Sequence, residues 1–187
     1  MRERRLTVGL IIAAFLAMSI VGCSQGPWME YIPDGEDFTV EFPGEPEIKT
    51  TSQNLGPGIS MDTTEYSVPP KLRFFGALYT VSISKIIAAN PESLQWDDAA
   101  ALQGARSGIK SEGGKVVAEK AISMAGYEGW EFEVTSPRGD STLRMFRKDF
   151  TIYGFEVFRS KGKKLPEETA RFFDSFKFDS AFDMDDY

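Results

Sequence analysis

Apolar and polar residues alternate along several segments of this chain, which predicts strands that bury one face. The clearest case is residues 72–87, where Tyr79, Val81 and Ile83 share one face and the residues between them are Thr and Ser. We therefore expect the sheet to have one core face and one wet face. The predicted strands cover residues 38–42, 47–53, 59–68, 72–87, 115–122, 130–135 and 151–160.

Two segments, residues 91–112 and 166–175, have helical spacing instead, and each opens with a proline at the position that suits a first helical turn. The apolar residues at this spacing are Leu94, Ala101, Leu102, Ala105 and Ile109 in the first helix and Ala170, Phe172, Phe173 and Phe176 in the second. The pattern predicts an α+β fold, in which two helices cover a twisted, largely antiparallel sheet.

The segment around Arg138 and Gly139 predicts a hairpin, and a two-residue loop at this pair sets its register. Residues whose numbers sum to 277 then face one another. The predicted pairs are Val134 with Leu143 and Phe132 with Met145 on an apolar face, and Glu133 with Arg144 on the opposite face. We expect the opposite face to be solvated.

The N-terminal segment has the order of a signal peptide: basic residues, an apolar run over residues 6–21, then Gly22 and Cys23. The apolar run is shorter than the roughly 20 residues that a membrane-spanning helix needs. The stretch that ends at Cys23 resembles the bacterial lipoprotein box, which implies that this cysteine receives a diacylglyceryl group and that residues 1–22 are removed. The alternatives are an ordinary signal peptide with a coincidental cysteine, or an uncleaved single anchor.

The pattern divides the chain into a signal peptide at residues 1–22, a tether at 23–36, one α+β domain at 37–178 and an acidic tail at 179–187. Removing the signal peptide takes away three of the 21 basic and one of the 28 acidic residues, which leaves a net charge of −9. This balance disfavours nucleic acid as a partner, because phosphate binding depends on clustered Lys and Arg. We expect the domain to lie outside the cytoplasm in the cell envelope, lipid-anchored to the outer or inner membrane.

The chain contains no His, and its single Cys is the predicted lipid site. This composition excludes Ser-His-Asp and Cys-His nucleophiles, histidine general bases and the usual ligands of zinc and iron–sulfur sites. Only oxygen-ligand cations such as calcium or magnesium remain, and we expect no cofactor. Residues 108–115 do not fit a phosphate loop, because Gly114 stands where that motif needs Lys.

Glu131 and Glu133 share one face of a predicted strand, so they are the candidate carboxylate pair for a hydrolase. The competing interpretation, which we favour, is a solvated sheet face on which Arg144 balances Glu133. The acidic tail lacks a complete calcium-binding loop, so we expect a solvated terminus rather than a calcium site. The sequence therefore predicts neither catalytic nor metal-binding residues.

Four features resemble the Mog1/PsbP/DcrB-like envelope domains over residues 37–178. They are the stretch 38–43, the central helix, the start of the hairpin at 126–130 and the closing segment 172–176. The resemblance implies an α+β fold and a noncatalytic binding or assembly role, and it assigns no functional residue. We therefore expect a membrane-tethered lipoprotein that is not an enzyme and binds an envelope protein. The alternative is a carboxylate-dependent hydrolase, alone or with a divalent cation.

Overall fold

Ten strands and two α-helices make up the part of the chain that the structure, a computed structural model, describes: residues 27–70, 76–93, 97–124 and 126–178. The strands are β1 (Met29–Tyr31), β2 (Phe38–Phe42), β3 (Glu47–Gly56), β4 (Ile59–Val68), β5 (Ala77–Ala88), β6 (Lys115–Met124), β7 (Tyr127–Thr135), β8 (Asp140–Lys148), β9 (Thr151–Arg159) and β10 (Lys177–Phe178). The helices are α1 (Asp98–Ser111) and α2 (Pro166–Asp174). The structure confirms the predicted α+β class.

Seven of the strands form one antiparallel sheet in the order β3-β4-β5-β9-β8-β7-β6. The short strands β1, β2 and β10 form a second sheet, which packs together with α2 against one face of the large sheet. The hydrophobic core lies between these two layers. We call this face of the large sheet the core face.

Aromatic side chains fill the core. Phe155 and Phe146 of the large sheet contact Phe176 with ring centroids 4.7 and 5.5 Å apart, and Phe42 contacts Phe172 at 5.6 Å. All five side chains are at most 6% exposed. Full burial of such a ring stabilises the fold by roughly 1.5–3 kcal/mol, so this cluster holds the two layers together.

Most predicted core positions are confirmed. Tyr79, Val81, Ile83, Phe172, Phe173 and Phe176 are all buried. Ala170, which the helical pattern also places in the core, is exposed. It lies two residues before Phe172, which is about 200° around the helix and hence on the opposite side.

The helix α1 begins later than the sequence pattern predicts. Its N-cap is Asp97, whose carboxylate accepts hydrogen bonds from the backbone N–H groups of Ala99 and Ala100 at 2.9 and 3.1 Å. Such a cap satisfies N–H groups that have no partner within the helix, and this fixes the first turn. Pro91 instead opens a short 3-10 turn, and Leu94 lies outside the described residues.

The hairpin between β7 and β8 has a four-residue loop rather than the predicted two-residue loop, so facing residues sum to 275. The observed pairs are Trp130 with Met145, Glu131 with Arg144, Phe132 with Leu143, Glu133 with Thr142 and Val134 with Ser141. Ser136 favours the longer loop, because its backbone N–H and its hydroxyl both donate to the carbonyl oxygen of Gly139, at 2.8 and 3.0 Å. The predicted register is wrong by two residues.

Part of the predicted tether belongs to the fold. Strand β1 pairs with β2, and the Trp28 ring packs edge-on against Tyr79 with centroids 5.3 Å apart. Contacts of this kind bury apolar area that a free tether would expose to water. Residues 1–26, which include the predicted signal peptide and Cys23, and the predicted acidic tail at 179–187 lie outside the described residues.

None of the helices in the described ranges is long and apolar enough to cross a membrane.

Candidate functional site

Helix α1 lies over the face of the large sheet that points away from the core. None of its 14 residues is buried. Ion pairs attach it to the sheet: Arg106 binds both carboxylate oxygens of Glu119 on β6, at 2.9 and 2.7 Å, and Arg147 on β8 lies 3.9 Å from Asp98. Most helices in proteins are stabilised by burying an apolar stripe, whereas α1 has no fully buried residue.

Small residues leave space between α1 and the sheet. Ala105 and Gly108 lie on the underside of the helix, and Ser82, Ser141 and Gly154 lie on the sheet below. A Cβ atom built on Gly154 would lie only 2.5 Å from the Ser82 hydroxyl oxygen. The missing side chain at this glycine therefore deepens the floor.

Two adjoining cavities occupy this space. The first, of about 550 Å³, lies under the C-terminal half of α1, and the second, of about 590 Å³, lies near its N-terminal end. Met145 and Ile152 line both cavities. We call the two together the helix trough. Volumes of this size fall in the range of roughly 300–1,000 Å³ that small-molecule sites occupy.

The walls of the first cavity are mainly apolar. They include Leu78, Ala105, Ile109, Val134, Leu143, Met145, Ile152 and Phe158. Ligand sites commonly combine walls of this kind with a few polar groups that orient the ligand.

The charged group on the floor of the trough is the Glu156 carboxylate. This residue lies on β9 between Thr80 of β5 and Leu143 of β8. Burial raises the pKa of Glu156 above its ordinary value, and the negative charges of Glu112 and Glu65 raise it further, while a hydrogen bond from Ser141 acts in the opposite direction. In the described part of the chain Glu156 forms no ion pair.

Two charged residues stand at the rim of the same cavity. Glu112 caps the C-terminus of α1, and Arg138 lies in the β7–β8 loop; both are exposed. Arg138 is not among the charges that act on Glu156. The charges that raise the pKa of the carboxylate on the floor are therefore acidic, and the rim carries one residue of each sign.

The carboxylates that the sequence singles out lie on the core face, away from the trough. Glu131 is only 8% exposed and accepts hydrogen bonds from Arg144 at 2.6 Å and Lys120 at 2.8 Å. Burial acts to raise the pKa of Glu131, but the two bonds outweigh it and lower the pKa below its usual value. The predicted solvated face is thus wrong for Glu131, because α2 covers it: Arg144 stacks on the ring of Phe173 at 4.3 Å.

Glu133 has different partners from those predicted. Its carboxylate accepts a hydrogen bond from the Thr142 hydroxyl at 2.9 Å and lies 3.6 Å from Arg159. The predicted pairing of Glu133 with Arg144 is wrong because of the two-residue shift in register. Arg144 faces Glu131 instead.

No cluster of three or more side chains that could hold a metal ion occurs within the described ranges. Cys23, the predicted lipid site, lies outside them.

Sequence reasoning missed Glu156 and Gly154, although the alternation along β9 contains the signal. Tyr153, Phe155 and Val157 point to the core, so the residues between them must point the other way. A glycine and a glutamate in that second row, opposite the polar row of β5, indicate a face that is neither packed core nor ordinary surface. What the sequence does not give is the helix that covers it.

Comparisons with solved structures find several similar chains, two of which follow. No protein-family model and no curated protein matches the chain. Cyanobacterial PsbP (CyanoP) from Synechocystis sp. PCC 6803 is 13% identical with a TM-score of 0.48, over 84% of this chain and 95% of that one. A protein of unknown function from Pseudomonas aeruginosa is 14% identical with a TM-score of 0.34, over 77% of this chain and 90% of that one. Both TM-scores are below 0.5, so neither likeness carries an argument about the function of this chain.

Proposed function

We propose that this chain is a lipid-anchored protein of the bacterial cell envelope whose PsbP-like domain binds a ligand or partner without catalysing a reaction. The helix trough is the observation that carries the binding role. It joins apolar walls, a floor of small residues and one oriented carboxylate under a helix that buries none of its own residues. The motifs at 38–43 and 172–176 support the PsbP-like assignment.

The lipid anchor is supported by the position of Cys23 after a short apolar run that follows basic residues. Two acyl chains bind a membrane firmly without an added basic patch. The test is metabolic labelling with a fatty acid in a bacterial host, followed by separation of membrane and soluble fractions. We expect Cys23→Ser to lose the label and Ser24→Ala, the neighbouring control, to keep it. Equal labelling of both variants, or no label on the parent chain, would contradict the anchor.

The binding role is tested with N-phenyl-1-naphthylamine, an uncharged apolar dye whose fluorescence rises when it leaves water. The protein is the full chain with Cys23→Ser, so that its own lipid does not compete. We expect saturable binding, because the trough offers apolar walls of sufficient volume. Ala105→Trp places a large ring in the first cavity and should weaken binding at least tenfold.

The matched control places the same ring on the other side of the same helix. Gln103 is exposed and lines neither cavity, so Gln103→Trp should bind the dye as the parent does. Both variants should keep the circular-dichroism spectrum of the parent. Equal dye binding by the two variants would remove the trough as the binding site.

A hydrolase is the second candidate, and one observation favours it. Glu112 and Glu156 line one cavity, and the raised pKa of Glu156 is typical of a general acid. Binding remains the better proposal because Glu112 is exposed at the end of a helix rather than held beside a reacting group. Glycoside or ester turnover that disappears in Glu156→Gln would favour the hydrolase instead.

A further inference from the structure

Glu156 has no cationic partner in the described part of the chain, although it lies in a largely apolar cavity. A hydrogen bond from Ser141 favours its charged form, and the charges that raise its pKa are those of Glu65 and Glu112. A charged carboxylate that is partly removed from water is costly unless it is both paired with a cation and hydrogen-bonded. A cation bound beside it would relieve this cost.

We propose that the helix trough binds amphiphilic amines, with the cationic head beside Glu156 and the apolar body along Ile109, Leu143 and Met145. This inference rests on the proposed binding role of the trough and adds the chemical class of the ligand. Within the described residues, no group of three or more possible metal ligands accompanies Glu156, so an organic cation fits it better than a metal ion. The apolar walls select a long hydrocarbon body, and the carboxylate selects the sign of the head group.

The charges around the cavity favour the same choice. Two acidic residues, Glu65 and Glu112, add negative potential at Glu156, whereas Arg138 is exposed in a loop and is not among the charges that act on it. A fatty acid would bring its carboxylate to a site that already repels negative charge. A fatty alcohol would satisfy the hydrogen bonding but leave the charge unbalanced.

The test compares three ligands with the same ten-carbon chain and different head groups: decylamine, decanol and decanoate. Each displaces N-phenyl-1-naphthylamine from the full chain carrying Cys23→Ser, below the concentration at which the ligand forms micelles. We expect decylamine to bind about tenfold more tightly than decanol, since a hydrogen bond to a charged group has about this strength. Decanoate should bind more weakly than decanol.

The variants place the preference on Glu156. The ratio of decylamine to decanol affinity, measured in one protein, should fall to about two or less in Glu156→Gln and stay above that in Glu156→Asp, which keeps the charge. Glu47→Gln removes a charge on the exposed strand β3, outside the cavity lining and away from the charges that act on Glu156, and should keep the parent ratio.

Three results would decide against the proposal in distinguishable ways. Equal affinity for decylamine and decanol in the parent overturns the amine specificity and leaves the trough as an apolar binding site. A ratio unchanged by Glu156→Gln, with decanol still bound, overturns the role of Glu156. Failure of the parent to bind the dye at all removes both the proposed binding site and this inference.

Discussion

Replacing Glu131 with Gln tests the charge network on the core face. Glu131 on β7 faces Arg144 on β8, and Lys120 on β6 binds the same carboxylate. The N–O distances are 2.6 Å from Arg144 and 2.8 Å from Lys120. The carboxylate is only 8% exposed. Gln keeps the shape of the side chain but not its charge, so the substitution isolates the electrostatic contribution of Glu131 to the contacts among β6, β7 and β8.

The expected cost at pH 7 is about 2 kcal/mol in the free energy of unfolding. Hydrogen bonds to charged groups contribute about 1.5–3 kcal/mol, and removing one member of a fully buried pair costs about 3–5 kcal/mol. The lower part of this span applies because the Lys120 side chain is 62% exposed and regains water, and Arg144 keeps its contact with Phe173.

The assay is urea unfolding of parent and variant at pH 7 and again at acid pH. The pKa of folded Glu131 lies below its usual value of 4.5, so its stabilisation is fully present above that pH and is lost as the pH falls through the folded pKa. The difference between parent and variant should therefore close in acid. Far below pH 4.5 the parent carries a neutral carboxyl at this position and gains little over Gln.

Glu119→Gln is the matched control on the neighbouring strand. Glu119 also pairs with an arginine, Arg106, but this ion pair is exposed and contributes much less. The two substitutions should differ clearly at neutral pH. Equal losses, or a loss at Glu131 that does not change with pH, would refute the reasoning that burial and two cationic partners set its contribution.

The remaining predictions concern Glu156 and two glycines. Glu156→Gln should make the protein more stable than the parent at pH 8 and equally stable in strong acid. The folded pKa of Glu156 is raised, so the cost of its charge is absent below pH 4.5 and complete above the folded pKa. Urea unfolding at pH 8 and in strong acid checks this. Gly104→Ala should raise the free energy of unfolding by about 0.5–1 kcal/mol, since a Cβ there meets no atom within 4 Å. Gly129→Ala should lower it by about 1–3 kcal/mol in the same titration, because its Cβ would overlap the Met145 carbonyl oxygen.

The alternation of apolar and polar residues predicts most strands, because successive side chains of a strand point to opposite faces of the sheet. Residues 38–42 form a strand with the predicted bounds, and Tyr79, Val81 and Ile83 lie in the core as the pattern predicts. The pattern within each of these segments is enough to predict its structure. The helix α2 was found for the same reason, since Phe172 and Phe173 define its buried side.

The hairpin register was not predictable in the same way, because it depends on loop length. Arg138 and Gly139 fit a two-residue turn by residue type, but the hydrogen bonds of Ser136 to Gly139 close a longer loop. The longer loop places Arg144 opposite Glu131 instead of Glu133. A difference of two residues in loop length therefore changes every pair between β7 and β8.

The helix trough was beyond sequence reasoning for another reason. Ala101, Ala105 and Ile109 fit an ordinary amphipathic helix that packs on a sheet, and the helix does lie over the sheet. Whether it packs closely depends on the side chains opposite it. Small residues such as Gly154 and Ser82 leave that space open, and their position under α1 follows only from the sheet order.

The central claim, that the trough under α1 is the binding site, is tested most directly by NMR titration of the isotope-labelled full chain with Cys23→Ser. Adding N-phenyl-1-naphthylamine should shift the amide signals of Ala105, Ile109, Gly154 and Glu156, which line the first cavity. Signals from the exposed strand β3 should stay in place. Shifts confined to β3, with the signals of Gly154 and Glu156 unmoved at saturation, would contradict the account.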